Sequence, residues 1–264
     1  MTDSQSDDYK ERYVAFLDLL GFQNQVERAE TNQDERTKLL EVLGLMKETL
    51  TNNPYIGFRF NYFSDCIVLS VSRTPDGLRE MFNSISAITS NLLQHDVFVR
   101  GGLTAGGAHH GKDFLYGTAV NRAYRLESEQ AKNPMTLLSE EVVQDAKSHG
   151  DEYTQWIVEE VPGRHFIHYL IAYALYRPTP IYAGKVVLDD PGNRIMDFVQ
   201  QRLNNDKGQI LAKAEWFRAY WNRTVAVHGV FKSIEAGVTE RYKSGGPTIM
   251  VRRIAGPLPP MPQT

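Results

Sequence analysis

Two aspartates stand where a chain turns. Asp18 ends the apolar run Tyr13-Val-Ala-Phe-Leu17, and Asp65 sits between the runs Tyr55–Phe63 and Cys66–Val71. A carboxylate at a strand end is easily solvated and points into whatever cleft lies there. Two of them suit a hard divalent cation, Mg²⁺ or Mn²⁺, held by a few oxygens and completed by substrate phosphates. The plainer alternative is that each caps a turn or a helix start. A second constellation is Gly117-Thr-Ala-Val-Asn121-Arg-Ala-Tyr-Arg125-Leu-Glu127. Asn121 and Arg125 lie four apart, so on a helix they project from one side. An amide beside a guanidinium can clamp phosphate oxygens and a ribose. Here the plainer alternative is a solvated face with an Arg125–Glu129 pair.

Two other patterns carry less. Gly106–Lys112 fits the spacing G-x-x-x-x-G-K, but a phosphate loop needs Ser or Thr next, and Asp113 follows. His109-His110 and His165/His168 have no cysteine partners, and adjacent side chains do not share a face. They read as surface or turn histidines.

The elements that must position these residues follow from periodicity. Tyr13–Leu17 reads as a strand covered on both faces. A helical pattern spans residues near 23–50, with Leu39, Leu43 and Met46 on one stripe. Ser64-Asp65 joins two strand runs as a hairpin. A helix follows Asp76-Gly77, and a strand spans Val97–Leu103 before a glycine cluster. Gly117-Thr118 opens the next helix, with Thr118 as its expected N-cap. The spacing then predicts a strand at Met135–Leu138, a helix at Ser139–Lys147, and strands at Tyr153–Glu160 and His165–Leu175. Hairpins mixed with crossover helices imply an α+β fold with a mixed or antiparallel sheet and helices packed on it.

Residues 1–11 read as a solvated tail, 12–185 as the main domain, and 186–264 as a helical C-terminal extension. In the extension Ile210, Ala214, Phe217 and Trp221 make an amphipathic stripe, and Gly256–Thr264 is a Pro-rich tail. The chain has 264 residues, 29 Lys plus Arg against 32 Asp plus Glu, and a net charge of −3. That balance argues against nucleic acid as a partner. A single Cys excludes an internal disulfide. No apolar run spans a membrane, and the start MTDSQSDDYKER is unlike a targeting peptide, so a cytoplasmic protein is expected.

Taken together, four segments resemble the class III nucleotidyl cyclases. They are Phe16-Leu-Asp18-Leu-Leu-Gly21-Phe22, the Ser64-Asp65 hairpin turn, Val99-Arg-Gly-Gly-Leu-Thr-Ala-Gly-Gly107, and the run Asn121-x-Ala-x-Arg125-Leu-Glu127. The resemblance implies that Asp18 and Asp65 bind two Mg²⁺ or Mn²⁺ ions, with the Leu19 carbonyl as a further ligand. It implies a triphosphate cradle in the amides after Leu19, a ribose contact from Asn121, and charge stabilisation by Arg125. In the family the two sets of residues come from opposite subunits, so a homodimer with shared sites is implied.

Where adenylate cyclases of this class carry a base-reading Lys and a small polar residue, this chain has Asn61 and Phe114. In those positions it resembles the Pycsar pyrimidine cyclases of anti-phage defence, whose cyclic product opens a separate effector protein. Arg59, Asn61, Phe114 and Phe22 become the candidate substrate contacts. Phe114 excludes a purine by volume. The Asn61 amide can serve uracil or cytosine by flipping, whereas Arg59 only donates and suits the uracil O4 better than the cytosine amino group, although cytosine O2 and N3 also accept. UTP is therefore expected ahead of CTP. The alternatives are an adenylate cyclase with an unusual purine pocket and a nucleotide sensor without catalysis.

Overall fold

The computed structural model describes residues 9–171, 181–182, 185–186 and 191–228. Residues 1–8, residues 172–175 of the strand expected at His165–Leu175 and the Pro-rich tail lie outside them; within them that strand ends at Ile167, where the chain turns, and the first strand begins at Lys10, inside the expected tail. The fold is mixed α+β, as the element order predicts. β1 (Lys10–Leu19) takes the centre of an eight-stranded sheet because its apolar residues alternate on both faces; Tyr13, Val14, Ala15, Leu17 and Leu19 are all buried. It pairs antiparallel with β3 (Cys66–Ser72) on one side and with β4 (Val99–His110) on the other. β2 (Arg59–Phe63) completes the expected hairpin with β3, and Ser64 takes the left-handed conformation its two-residue turn requires. Beyond β4 lie β6 (Thr136–Leu138), β8 (Arg164–Ile167) and β7 (Ile157–Val161), while β5 (Leu115–Gly117) folds back on β4. Among the described strands only the β4–β6 pairing is parallel.

The two faces differ. One carries the main core, packed under α2 (Gln33–Thr51), α3 (Pro75–Leu93) and α5 (Glu140–His149). The other carries a small cluster of Val14, Val68, Ala108, Ala119 and Ala123, covered by α4 (Thr118–Arg125). By strand parity this second face also holds Arg12 and Asp18 of β1, Cys66 and Ser70 of β3, and Arg100 of β4.

Several boundaries depart from the sequence expectation. The helical region near 23–50 is two helices, α1 (Phe22–Thr31) and α2. They break at Asn32, whose side chain accepts from the Asp34 and Glu35 amides and so caps α2. Thr118 is not an N-cap; Gly117 holds that position and Thr118 is the first helical residue. The strand expected from Tyr153 starts only at Ile157, because Asp151–Thr154 forms a helical turn, α6. β4 does not stop at Leu103 but continues through the glycines to His110. At Gly102 a β-carbon would stand 2.4 Å from Leu126 Cβ and 2.6 Å from the Ala123 carbonyl, so glycine there lets α4 lie directly on β4.

The C-terminal helices α7 (Pro191–Asn205) and α8 (Gly208–His228) join the main core. Phe98 packs 4.8 Å from Phe198 and 5.3 Å from Phe217, ring centre to ring centre, and the Trp216 indole donates to Glu160 at 2.9 Å. Among the described residues no helix is long and apolar enough to cross a membrane.

At the opposite edge Arg73 donates twice to Asp145, at 2.8 and 3.0 Å, and the Tyr13 hydroxyl donates to it at 2.8 Å. Burial raises the Asp145 pKa, but these bonds outweigh it and hold the carboxyl below its ordinary value. A depressed carboxylate adds stability above its unfolded pKa and loses it as pH falls through the folded one. Asp145→Asn should therefore lower stability by about 1–3 kcal/mol at pH 7. In denaturant titrations the gap from wild type should close below about pH 4. Gly102→Val should cost a further kind of order: α4 must lift off β4, with a loss of about 1–3 kcal/mol or more in the same titration.

Candidate active site

β1 ends at its neighbour's turn, and this brings the two aspartates together. Asp18 is opposite Cys66, the residue after Asp65, and the Leu19 amide donates to the Asp65 carbonyl at 3.1 Å. Side-chain ligand atoms of Asp18, Asp65 and Cys66 all lie within 4.8 Å of one another. The Cys66 thiol points at Asp65 Oδ1, 3.7 Å away. Burial, then the charges of Asp65 and Asp18, push its pKa up to about 11, so it keeps its proton at neutral pH. The donor set that remains is two carboxylates, which fits a hard oxygen-seeking cation such as Mg²⁺ or Mn²⁺.

Arg100 faces Asp18 directly across the β1–β4 ladder. Its Nε stands 3.0 Å from Asp18 Oδ2 and 2.7 Å from Glu127 Oε1. Glu127 is buried in a five-residue π-turn, Leu126–Gln130, that continues α4. Burial pushes both carboxyls above their ordinary pKa; Arg100 opposes this, and the neighbouring carboxylates reinforce it. A cation added here would relieve that repulsion. Lys213 of α8 also lies within electrostatic reach: burial and Arg100 lower its pKa, while Asp18 raises it.

Asn121 and Arg125 stand on the exposed side of α4. Among the described residues their side chains make no hydrogen bond or ion pair, so the Arg125–Glu129 pair is not formed. The inward stripe of the helix, Ala119 and Ala123, sits on the sheet as expected. Arg59 and Asn61 are exposed on edge strand β2, and Phe114 is 70% exposed at the β4–β5 turn. Phe22 differs in its setting from the other candidate substrate contacts: it is buried in the main core, because an apolar ring at the start of α1 gains free energy by packing against the sheet. Before it, Gly21 adopts a left-handed cap with no side-chain bond to the first amides of α1, which are thus left for another acceptor.

The histidines also differ from expectation. His110 and His168 are buried, the first bonded to Ser70 and Asn61, the second to the Tyr220 hydroxyl at 2.7 Å. Sequence reasoning missed Arg100, Cys66, His110 and Lys213. Arg100 could have been found by parity, since an antiparallel partner of β1 must present something to Asp18. Nothing in the sequence places Lys213 there, as it comes from 195 positions away.

No protein-family model and no curated protein matches the chain. Among solved structures it is similar to the monomeric guanylyl cyclase domain of the RhoGC fusion protein from the aquatic fungus Blastocladiella emersonii. The TM-score is 0.44 at 19% identity, over 61% of this chain and 95% of that one. It is similar to the adenylate/guanylate cyclase/hydrolase from Silicibacter pomeroyi, with TM-score 0.42 and 12% identity over 60% and 97%. A bacterial light-regulated adenylyl cyclase gives TM-score 0.40 and 16% identity over 52% of this chain and 45% of that one.

The raised Asp18 pKa has a sign. A carboxyl whose pKa rises on folding stabilises the fold below its unfolded value and loses that contribution as pH rises through the folded one. Asp18→Asn should therefore raise the melting temperature of metal-free protein at pH 7. Saturating Mn²⁺ should raise that of wild type by linkage, and should leave both Asp18→Asn and Asp65→Ala unmoved.

Proposed function

We propose that the chain is a class III nucleotide cyclase that turns a pyrimidine nucleoside triphosphate, UTP ahead of CTP, into its 3′,5′-cyclic monophosphate and pyrophosphate. The observation that carries this reading is the meeting of Asp18 and Asp65 at one strand end, with Asn121 and Arg125 left free on the helix of the same face. A nucleotide sensor has no need of both sets.

The reaction is an in-line displacement. The ribose 3′ oxygen forms a bond to the α-phosphorus, the bond to pyrophosphate breaks, and the 3′ proton passes to solvent. Asp18 and Asp65 would hold the two Mg²⁺ or Mn²⁺ ions, which when bound activate the 3′ hydroxyl and neutralise the triphosphate. The Leu19 carbonyl completes that set, and the uncapped amides at the start of α1 receive phosphate oxygens. Asn121 orients the ribose, and Arg125 balances charge on the reacting phosphate. Lys213 supplies a further cation for the triphosphate, which gives α8 a part in the site.

Asn121 and Arg125 need a substrate seated opposite them. A second copy supplies it, so the active form is a homodimer with two shared sites. Exposed Tyr124, Tyr116, Phe114 and Phe63 give apolar surface for that contact. Resemblance to the Pycsar cyclases carries the outer part of the reading: a cytoplasmic enzyme of anti-phage defence whose product acts on a separate effector.

Incubation with Mn²⁺ and each triphosphate in turn tests the reading, with cyclic UMP the expected main product. Cyclic AMP as main product favours the purine alternative, and no cyclic product from any triphosphate favours the sensor. Asp65→Ala and Arg125→Ala should each lower turnover by at least about a hundredfold. Mixed with free subunit exchange, the two variants should recover about a quarter of wild-type activity, because half the dimers carry one intact site. Lys213→Ala should raise KM for the triphosphate while Mn²⁺ binding persists.

A further inference from the structure

A buried polar chain runs across the α4 face of the sheet, away from the carboxylate end. Arg12, Ser70 and His110 are each no more than 2% exposed. Arg12 Nε donates to Ser70 Oγ at 2.9 Å, and its Nη2 donates to the Gly57 and Ser70 carbonyls at 3.2 and 3.4 Å. Ser70 Oγ lies 2.7 Å from His110 Nδ1. From the end of β4, His110 reaches past β1 to Ser70 on β3, and its Nε2 meets Asn61 Oδ1 on β2.

Every direction in this chain follows from its first member. A guanidinium only donates, so Ser70 Oγ accepts from Arg12. Among the described residues, His110 Nδ1 is the other partner of that hydroxyl. If Nδ1 carried the proton, Ser70 would accept twice and its own O–H would be buried without an acceptor, which is costly. The hydroxyl therefore donates to Nδ1. Burial, with the charges of Arg12 and Arg59, lowers the His110 pKa to about 4, so the ring is neutral near pH 7 and carries one proton. That proton is on Nε2, and it is donated to Asn61 Oδ1. Asn61 has one oxygen and one NH₂; with the oxygen engaged, the NH₂ faces outward from an exposed position.

We infer that Arg12, Ser70 and His110 are positioning residues that fix the Asn61 amide as a donor, so that Asn61, set against the C4 position of the base, selects the O4 carbonyl of uracil over the amino group of cytosine. The inference rests on the cyclase reading above for the presence of a base, and it settles the flip that the Asn61 side chain alone leaves open. Arg59, two residues away on the same strand face, is a second obligate donor, so both groups ask for acceptors.

The tautomer can be read without any activity. In ¹⁵N-histidine-labelled protein, with His110→Phe used to assign the signal, His110 at pH 7 should show a protonated Nε2 and an unprotonated Nδ1. A protonated Nδ1 overturns the inference whatever the enzyme does. Competition between UTP and CTP at equal concentration with Mn²⁺ reads the consequence. Wild type should favour cyclic UMP by roughly tenfold or more, the worth of about one hydrogen bond. Asn61→Asp should invert the preference, since its outer oxygen can only accept and the cytosine amino group donates. His110→Phe frees the amide to flip and should shrink the preference at least about threefold, leaving what Arg59 contributes. Predominant cyclic CMP from wild type, or a ratio that neither variant moves, overturns the inference and leaves the cyclase reading standing. Absence of cyclic product from every triphosphate overturns both.

Discussion

One guanidinium holds the candidate site in shape. Arg100 lies between Asp18 and Glu127, and both carboxyls are buried enough that their ionised forms are disfavoured. Removing Arg100 would leave a buried and a half-buried carboxylate beside Asp65, an arrangement more costly than the loss of one ion pair suggests. The cluster joins three elements: β1 gives Asp18, β4 gives Arg100, and the π-turn gives Glu127. Even with Arg100 in place, Asp65 still raises the pKa of both Asp18 and Glu127, so a further positive charge is favoured there. A structural ion pair and a prospective metal site thus share one carboxylate, and the metal-free state is kept folded by the residue that competes for it.

The rest of the α4 face is built to let this cluster form. A helix can reach Glu127 down to Arg100 only if it lies close to β4, and the small residues of that interface allow it. Ala119 and Ala123 meet Ala108 and Val14, and Gly102 leaves no β-carbon in the way. The π-turn adds one residue to the last turn of α4, as the Ala131 amide bonds to the Leu126 carbonyl five residues back. That extra residue directs Glu127 inward while Asn121 and Arg125 stay outward, on the side where α4 is uncovered. The apolar face beneath is thin, so the polar groups at its far end, Arg12, Ser70 and His110, are buried in a fully bonded chain rather than in hydrocarbon.

Much of this was legible in the residues. The run ending in Asp18 and the two-residue turn at Asp65 announced strand ends. The four-residue spacing of Asn121 and Arg125 announced a shared helix side, because strand and helix periods are local properties of backbone geometry. The α+β class followed from the order of elements. The burial of Phe22, His110 and His168 was not legible, for a common reason. Polarity in a sequence says what a side chain can bond to, whereas burial depends on what folds over it. An aromatic ring near a cleft motif went into the core, and a histidine in a glycine-rich run was buried under the sheet's edge.

What the sequence determined by itself was a set of chemical capacities and their local spacing: two turn carboxylates, a donor pair on one helix side, strand and helix periods. What only the tertiary structure decided was pairing across distance. The register of β1 against β3 and β4 set Asp18 beside Asp65 and opposite Arg100. The docking of α8 brought Lys213 within reach of that same end. The curl of β4 carried His110 to Asn61 and gave a direction to an amide that has none of its own. Hydrogen-bond direction is a property of a closed network, and a network closes only when strands far apart in the chain lie side by side.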